Sequence, residues 1–242
     1  MSAPRFYCAL ALTSGQTVSL PAHTFHHAVR VRRLRVGDEL ILFAGDGREA
    51  QATLVAINRE AADAAISTVT AASRESPLQV TLLQGLSAGD RMDYTLQKAV
   101  ELGVAAIVPV TTQRSVIRLD RDRADKRTAH WRQIVIGACE QSGRSSIPVV
   151  MPVVSLAAAL AAASAPRRFV LSFDGGTRLR NVAAPAGPIA LLAGPEGGLT
   201  IDEERDARNA AFAPLSLGPR VLRTETAAVA ALAAMQALWG DG

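Results

Sequence analysis

Several things are scarce in this sequence, and each scarcity excludes something. Cysteine occurs twice in 242 residues, at Cys8 and Cys139, too few and too far apart for a disulfide framework or a paired-cysteine metal knuckle. Lysine occurs only at Lys98 and Lys126. Aromatic residues make up 4%, which leaves little for a stacking platform that grips single-stranded bases. No run of eighteen apolar residues occurs, and Met1 to Phe6 lacks the basic start and apolar run of a secretory signal. The chain is therefore expected to be soluble and cytoplasmic, with no membrane partner. His23, His26 and His27 fall close together, but no cysteine or carboxylate accompanies them at ligand spacing, so no metal is expected.

Arginine, alanine and leucine are abundant instead. The net charge is +4, a basic excess that permits a nucleic-acid partner without requiring one. The arginine surplus reads either as guanidinium forks for phosphate or as the imprint of a GC-rich genome. With 49% hydrophobic residues, the chain can bury one large core or two smaller ones.

Two regions are expected. From Thr17 to about Thr70, short apolar alternations are broken by turn residues: Val18-Ser19-Leu20, Glu39 to Phe43, the Gly45-Asp46-Gly47 turn, and Ala50 to Val55. This predicts a small β-rich domain over residues 1–72. Ala72 to Pro77 is a polar linker. From residue 77 to 242, apolar strands alternate with helical segments, the pattern of an α/β domain with a mainly parallel sheet. The expected strands are Gln79 to Gln84, Ala105 to Val110, Phe169 to Phe173 and Ile189 to Ala193. Helices are expected over Arg91 to Leu102, ended by a left-handed Gly103, over Asp122 to Ser142, over Leu156 to Ala163 with Ser155 as N-cap, and over Ala227 to Trp239.

Two passages carry chemistry. In the first, the apolar run Ile189 to Ala193 stops at Gly194-Pro195-Glu196-Gly197-Gly198-Leu199, and Thr200 with Glu203 makes a capping box that opens a helix. In the second, Leu215 to Leu217 gives way to Gly218-Pro219-Arg220-Val221-Leu222-Arg223-Thr224-Glu225-Thr226. Ligands bind where parallel strands end, and glycines there let the backbone come close to them. Neither passage fits a dinucleotide fingerprint or a P-loop. Each alone reads equally as a tight turn; the pair suggests one composite site.

Gly194 to Thr200, Leu217 to Thr226, Gln97-Lys98-Ala99-Val100-Glu101-Leu102-Gly103-Val104 and Ala138-Cys139-Glu140-Gln141-Ser142-Gly143-Arg144 together resemble the RsmE family of 16S ribosomal RNA uridine N3 methyltransferases. The resemblance extends through nearly the whole chain, with departures at Arg32 and Ala44. It implies an N-terminal PUA-like β-barrel that binds RNA and a C-terminal SPOUT domain with a trefoil knot, acting as a homodimer on 16S RNA within the small ribosomal subunit. It also implies S-adenosylmethionine as cofactor, held by Leu171, Leu192, Ala193, Gly194, Pro195, Glu196, Gly197, Leu217, Gly218, Leu222, Arg223 and Thr224. Periodicity alone predicts an open doubly wound sheet.

Uracil N3 must lose its proton before it can attack a methyl carbon. Glu196 and Glu225 are the carboxylates within the two turns and Arg223 the cation beside one of them, so all three are candidate catalytic residues. Their plainer roles are fixing a turn, for Glu196, and an ion pair with Glu225 or a helix contact, for Arg223. Candidate RNA contacts are Arg30, Arg32, Arg33 and Arg35, on either a strand or a short helix, and Arg114, Arg118 and Arg144 in the α/β domain. Two rivals stand beside this reading: a SPOUT methyltransferase of another ribosomal or transfer RNA base, and a ribosome-assembly factor without catalysis.

Overall fold

A computed structural model describes residues 3–72, 74–117, 120–173 and 175–242. The chain divides into two compact units, Met1–Glu75 with Cys139–Ile147, and Ser76–Ala138 with Pro148–Gly242. The division at Glu75 falls inside the expected linker, but the first unit also takes a segment from far along the chain, which a contiguous boundary does not foresee.

The first unit is built on a five-stranded sheet of β1 (Arg5–Tyr7), β2 (Thr17–Ser19), β3 (Glu39–Phe43), β4 (Arg48–Ile57) and β5 (Ala62–Ala71), in the order β1-β3-β4-β5-β2. β1 lies parallel to β3 and the other pairs are antiparallel. Alternation sets the register: Ala50, Ala52 and Leu54 of β4 are buried while Gln51 and Val55 are exposed, so a one-residue slip would turn the apolar set to solvent. The core gathers Phe6, Leu20, Phe25, Leu40, Leu42, Leu54 and Ile66. Cys8 and Cys139 are both buried and free. Burial pushes their thiols up to about 11 and about 12 respectively, which removes thiolate chemistry at neutral pH.

Side-chain bonds explain why Cys139–Ile147 groups with this sheet. Arg5 Nη1 donates to Glu49 Oε2 at 2.5 Å and Arg5 Nη2 to Ser145 Oγ at 2.8 Å. Glu140 accepts the Tyr7 N–H at 2.9 Å, and Arg144 donates to Glu75 through both Nε and Nη2. Burial of Glu49 raises its carboxyl, but the hydrogen bond and charge of Arg5, with Arg74 and Ser145, outweigh that and hold it below its ordinary 4.5. A carboxyl lowered on folding stabilises the protein above its unfolded value, and that stability is lost as pH falls through the folded one. Thermal unfolding followed from pH 7 to pH 3 should therefore show a steeper acid loss in wild type than in Glu49→Gln, which is less stable at pH 7 and flatter below about pH 4.5; parallel profiles would remove Glu49 from the cluster.

The second unit carries an eight-stranded sheet of β6 (Val80–Gly85), β7 (Ala106–Thr111), β8 (Val149–Val150), β9 (Val154–Ser155), β10 (Arg167–Leu171), β11 (Thr177–Arg178), β12 (Ile189–Ala193) and β13 (Ala213–Ser216). Its order is β11-β13-β10-β12-β6-β7-β8, with β9 also on β7 and every ladder parallel. The helices are α2 (Gly89–Glu101), α3 (Arg121–Ser142), α4 (Leu156–Ala162), α5 (Ile201–Asn209) and α6 (Thr224–Trp239); α1 (Ala22–Phe25) and the last residues of α3, from Cys139, belong to the first unit. None of these helices is long and apolar enough to cross a membrane.

The buried strand β12 falls on its expected bounds, Ser155 caps α4 through the Ala158 N–H, and Gly103 ends α2 at φ +76°. A side chain at Gly103 would strike Gln236 Nε2 at 2.7 Å, the atom that donates to the Leu102 carbonyl. Strand β10 ends two residues earlier than expected, at Leu171, which releases Ser172 and Phe173 into a loop. Helix α6 begins three residues earlier, at Thr224, where Glu225 in the first turn suits the positive end of the helix.

Candidate active site

In a parallel sheet, the C-terminal ends of all strands share one edge. There β10, β12 and β13, the last two flanking β10, release their loops together. After β12 the chain turns through Gly194 to Leu199 and enters α5. A Cβ on Gly194 would lie 3.2 Å from Gly198 C and Leu199 N, and one on Gly197 would lie 2.9 Å from Arg114 Cβ. The capping box is formed: Glu203 N–H donates to Thr200 Oγ1 at 3.2 Å, and Glu203 Oε2 accepts the Thr200 N–H at 2.9 Å. Its other oxygen accepts the Gln113 N–H at 2.7 Å, so Glu203 also ties the loop after β7 to this turn.

After β13, Gly218 adopts φ +120° with open space where a Cβ would point, a conformation that only glycine takes without strain. Arg223 is extended and precedes α6 as its N-cap. After β10, Ser172 Oγ donates to Glu204 Oε2 at 3.0 Å, and Phe173 stands 60% exposed. The three loops enclose a cavity of about 320 Å³, within the roughly 300–1,000 Å³ usual for small-molecule sites.

The two glycine turns thus meet. Leu171, Ala193, Gly194, Pro195, Glu196, Gly197, Leu217, Gly218, Leu222 and Thr224 all line the cavity. Leu192 is the exception by burial: it is fully enclosed in β12, packed in the core with Leu83, Val170 and Phe212. Arg223 and Glu225 are not among the lining residues. Arg223 is exposed, and no Arg223–Glu225 ion pair occurs among the described residues.

Glu196 does fix structure. Its Oε1 accepts the Ala88 N–H at 2.7 Å, with Arg91 Nη1 at 3.3 Å, which anchors the turn to the start of α2; its Oε2 is buried without a partner among the described residues. Ser172, Phe173, Glu204, Arg220 and Val221 also line the cavity and were missed. The usable signal was that any strand expected in the same parallel sheet must bring its C-terminal loop to the same edge.

The arginines separate. Arg32, Arg33 and Arg35 are exposed in the loop that follows α1 and a π-helical turn, His26–Val31, so of the four only Arg30 is helical and none lies on a strand. Arg33 sits at φ +59°. Arg30 lies in the π-helical turn, donates to the Arg59 carbonyl at 2.5 Å and rests over the Phe25 ring. Arg114 lines the cavity, and its Nη1 donates to the carbonyls of Gly197 and Leu199 at 3.1 and 3.3 Å. Arg144 is only 6% exposed and bonded to Glu75, so it does not offer the open guanidinium expected of an RNA contact. Arg118 lies outside the described residues.

Comparison with known proteins agrees with this geometry. Residues 74–236 match the family described as RNA methyltransferase domain, and residues 20–67 the RNA methyltransferase PUA domain. The ribosomal RNA small subunit methyltransferase E of Bacillus subtilis (strain 168) is 34% identical over 228 residues, covering 90% of this chain and 89% of its own. Among solved structures, the same-named protein of Neisseria gonorrhoeae bound to S-adenosyl methionine matches with a TM-score of 0.93 at 44% identity, over 99% of each chain. A Legionella pneumophila protein in complex with the bound cofactor SAM matches with a TM-score of 0.97 at 37% identity over 100% of both. With its larger part matched from residue 74 to 236 and full-length relatives above 30% identity, the chain belongs to the RNA methyltransferase family, beside the ribosomal RNA small subunit methyltransferases E.

Proposed function

We propose that this chain methylates N3 of one uridine in 16S ribosomal RNA, with S-adenosylmethionine as methyl donor. The observation that carries the reading is the single cavity where the Gly194 and Gly218 turns meet. Its walls suit the cofactor: Gly198 at φ +68° and Gly218 at φ +120° leave open space where a side chain would stand, so main-chain groups can approach an adenosyl moiety. Glu204 adds a carboxylate suited to a cationic ligand. Backbone from Gly194 to Leu199 and from Leu217 to Leu222 would hold the molecule, with Leu171 beside it. When bound, S-adenosylmethionine supplies an electrophilic methyl carbon on a sulfonium.

The chain's own residues then have two tasks. The N3 proton passes to Glu196 or Glu225, each of which keeps one buried carboxylate oxygen without a partner among the described residues. Arg223, exposed between two lining residues, stabilises the uracil anion. The remaining acceleration comes from aligning N3, methyl carbon and sulfur.

The first unit serves as the PUA-like barrel, over residues 1–72, and presents Arg30, Arg32, Arg33 and Arg35 to phosphates; Arg118, from the α/β domain, is a further RNA contact. The second, from residue 77 to 242, is a SPOUT domain. The strand order β13-β10-β12, in which β13 lies across β10 from its predecessor, supports a knotted path. A homodimer, acting in the cytoplasm on the assembled small subunit, completes the proposal.

Mass spectrometry of RNA from cells lacking the gene tests it. One methyluridine should vanish from 16S RNA and return on complementation. Its loss from 23S or transfer RNA, with 16S unchanged, would reject the substrate, and calorimetry without cofactor binding would reject the enzyme.

A further inference from the structure

One buried polar side chain in the second unit has no part in the chemistry above. Gln84, the penultimate residue of β6, is fully buried and registers with Ala193 of β12. Its Nε2 donates to Thr224 Oγ1 at 3.1 Å and to the Gly85 carbonyl at 3.1 Å, and lies 3.5 Å from the Gly194 carbonyl. Thr224 Oγ1 in turn donates to the Gly194 carbonyl at 2.6 Å. One amide and one hydroxyl thus join three places: the end of β6, the first residue after β12, and the first residue of α6.

Packing does not account for an amide at this position. Gln84 Oε1 is buried with no partner among the described residues, and a buried polar atom left unbonded costs stability. Leucine or methionine would fill similar volume without that cost. What neither can do is fix the separation of Gly194 and Thr224 through short, directional bonds. Those two residues belong to the two different loops whose backbones line the cavity, and a ligand read by two loops needs their spacing held within a fraction of an ångström.

We propose that Gln84 and Thr224 form a clasp that sets the register of the two loops, which makes Gln84 a positioning residue for cofactor binding although it does not itself line the cavity. The inference rests on the reading of that cavity as the S-adenosylmethionine site. In the test, S-adenosylmethionine is titrated calorimetrically into wild type, Gln84→Leu, Thr224→Val and Thr224→Ser. Thermal unfolding and amide exchange across residues 194–200 and 217–224 are measured on the same proteins without cofactor.

Gln84→Leu should unfold at or above the wild-type temperature, yet bind cofactor about tenfold more weakly, with faster exchange in both loops. KM for the cofactor should rise more than kcat falls. Thr224→Val should show a similar loss, most of which Thr224→Ser recovers, and the Gln84→Leu/Thr224→Val double variant should be no worse than the weaker single one. Affinity of Gln84→Leu within twofold of wild type overturns the clasp. Should Gln84→Leu not fold, equal affinities for the two Thr224 variants overturn it instead. A wild-type protein that binds no S-adenosylmethionine overturns the reading of the cavity, and the loop exchange rates of the variants then decide the clasp alone.

Discussion

Gly85→Ala is expected to weaken S-adenosylmethionine binding by about a hundredfold and to lower the unfolding temperature by several degrees. A Cβ at this position would lie 2.6 Å from Pro195 N, 2.7 Å from Pro195 Cδ and 2.9 Å from Gly194 C. Two of these are backbone atoms, and the third belongs to a closed ring, so no flexible side chain can swing away. The turn after β12 must lift off the end of β6, and overpacking of this kind costs about 1–3 kcal/mol. In a chain of this size, each kcal/mol lowers the unfolding temperature by about 2–4 °C. Binding suffers more than stability because the displaced atoms begin the turn that lines the cavity, and a displacement near 1 Å can cost about a hundredfold.

Gly137→Ala is the matching control. Its Cβ would meet nothing within 4 Å on an exposed face of α3, so it should stabilise by about 0.5–1 kcal/mol and leave affinity unchanged. Wild-type affinity in Gly85→Ala would mean that the turn is looser than its contacts indicate.

Arg223→Ala should slow single-turnover methylation of bound RNA by about a hundredfold or more, the scale of losing one stabiliser of a developing anion, while cofactor affinity stays within about threefold. The split follows from geometry. Leu222 and Thr224 line the cavity and Arg223 between them does not. The N-cap residue is extended, at φ −64° and ψ 155°, and neighbours along an extended chain point to opposite sides. Its guanidinium is therefore free to meet the RNA. Arg223→Lys should fall between the two, since an ammonium keeps the charge and loses the fork. A rate equal to wild type in Arg223→Ala would end the assignment, and a loss of cofactor affinity as large as the loss of rate would make Arg223 a cofactor contact.

What the sequence allowed to be read was local. The Thr200–Glu203 capping box, the Ser155 cap, the left-handed Gly103 and the bounds of β12 depend on residues within a few positions of one another, and such signals act through backbone hydrogen bonds that each segment makes for itself. The meeting of the two glycine turns was also inferable, because parallel strands share one loop-bearing edge.

What stayed hidden was long-range. Arg144 looked like a surface cation until Glu75, 69 positions away, took its guanidinium. Leu192 was carried into the cofactor set by its neighbours in the motif, although a strand buried on both faces gives no alternation to show which side chains reach the cavity. Arg114 resembled an RNA contact because its carbonyl partners, Gly197 and Leu199, lie more than 80 residues on. Gln84 gave no signal at all: a glutamine near a strand end reads as solvent-facing until Thr224 and Gly194 arrive beside it.

The partnership of Cys139–Ile147 with the first unit bears on how the chain is made. During synthesis the sheet residues up to Glu75 emerge first, but the groups that complete their polar cluster, Glu140 for the Tyr7 N–H and Ser145 for Arg5, arrive only about seventy residues later. A nascent chain halted before residue 139 should therefore hold a protease-sensitive N-terminal half that hardens once residue 147 has emerged from the ribosome.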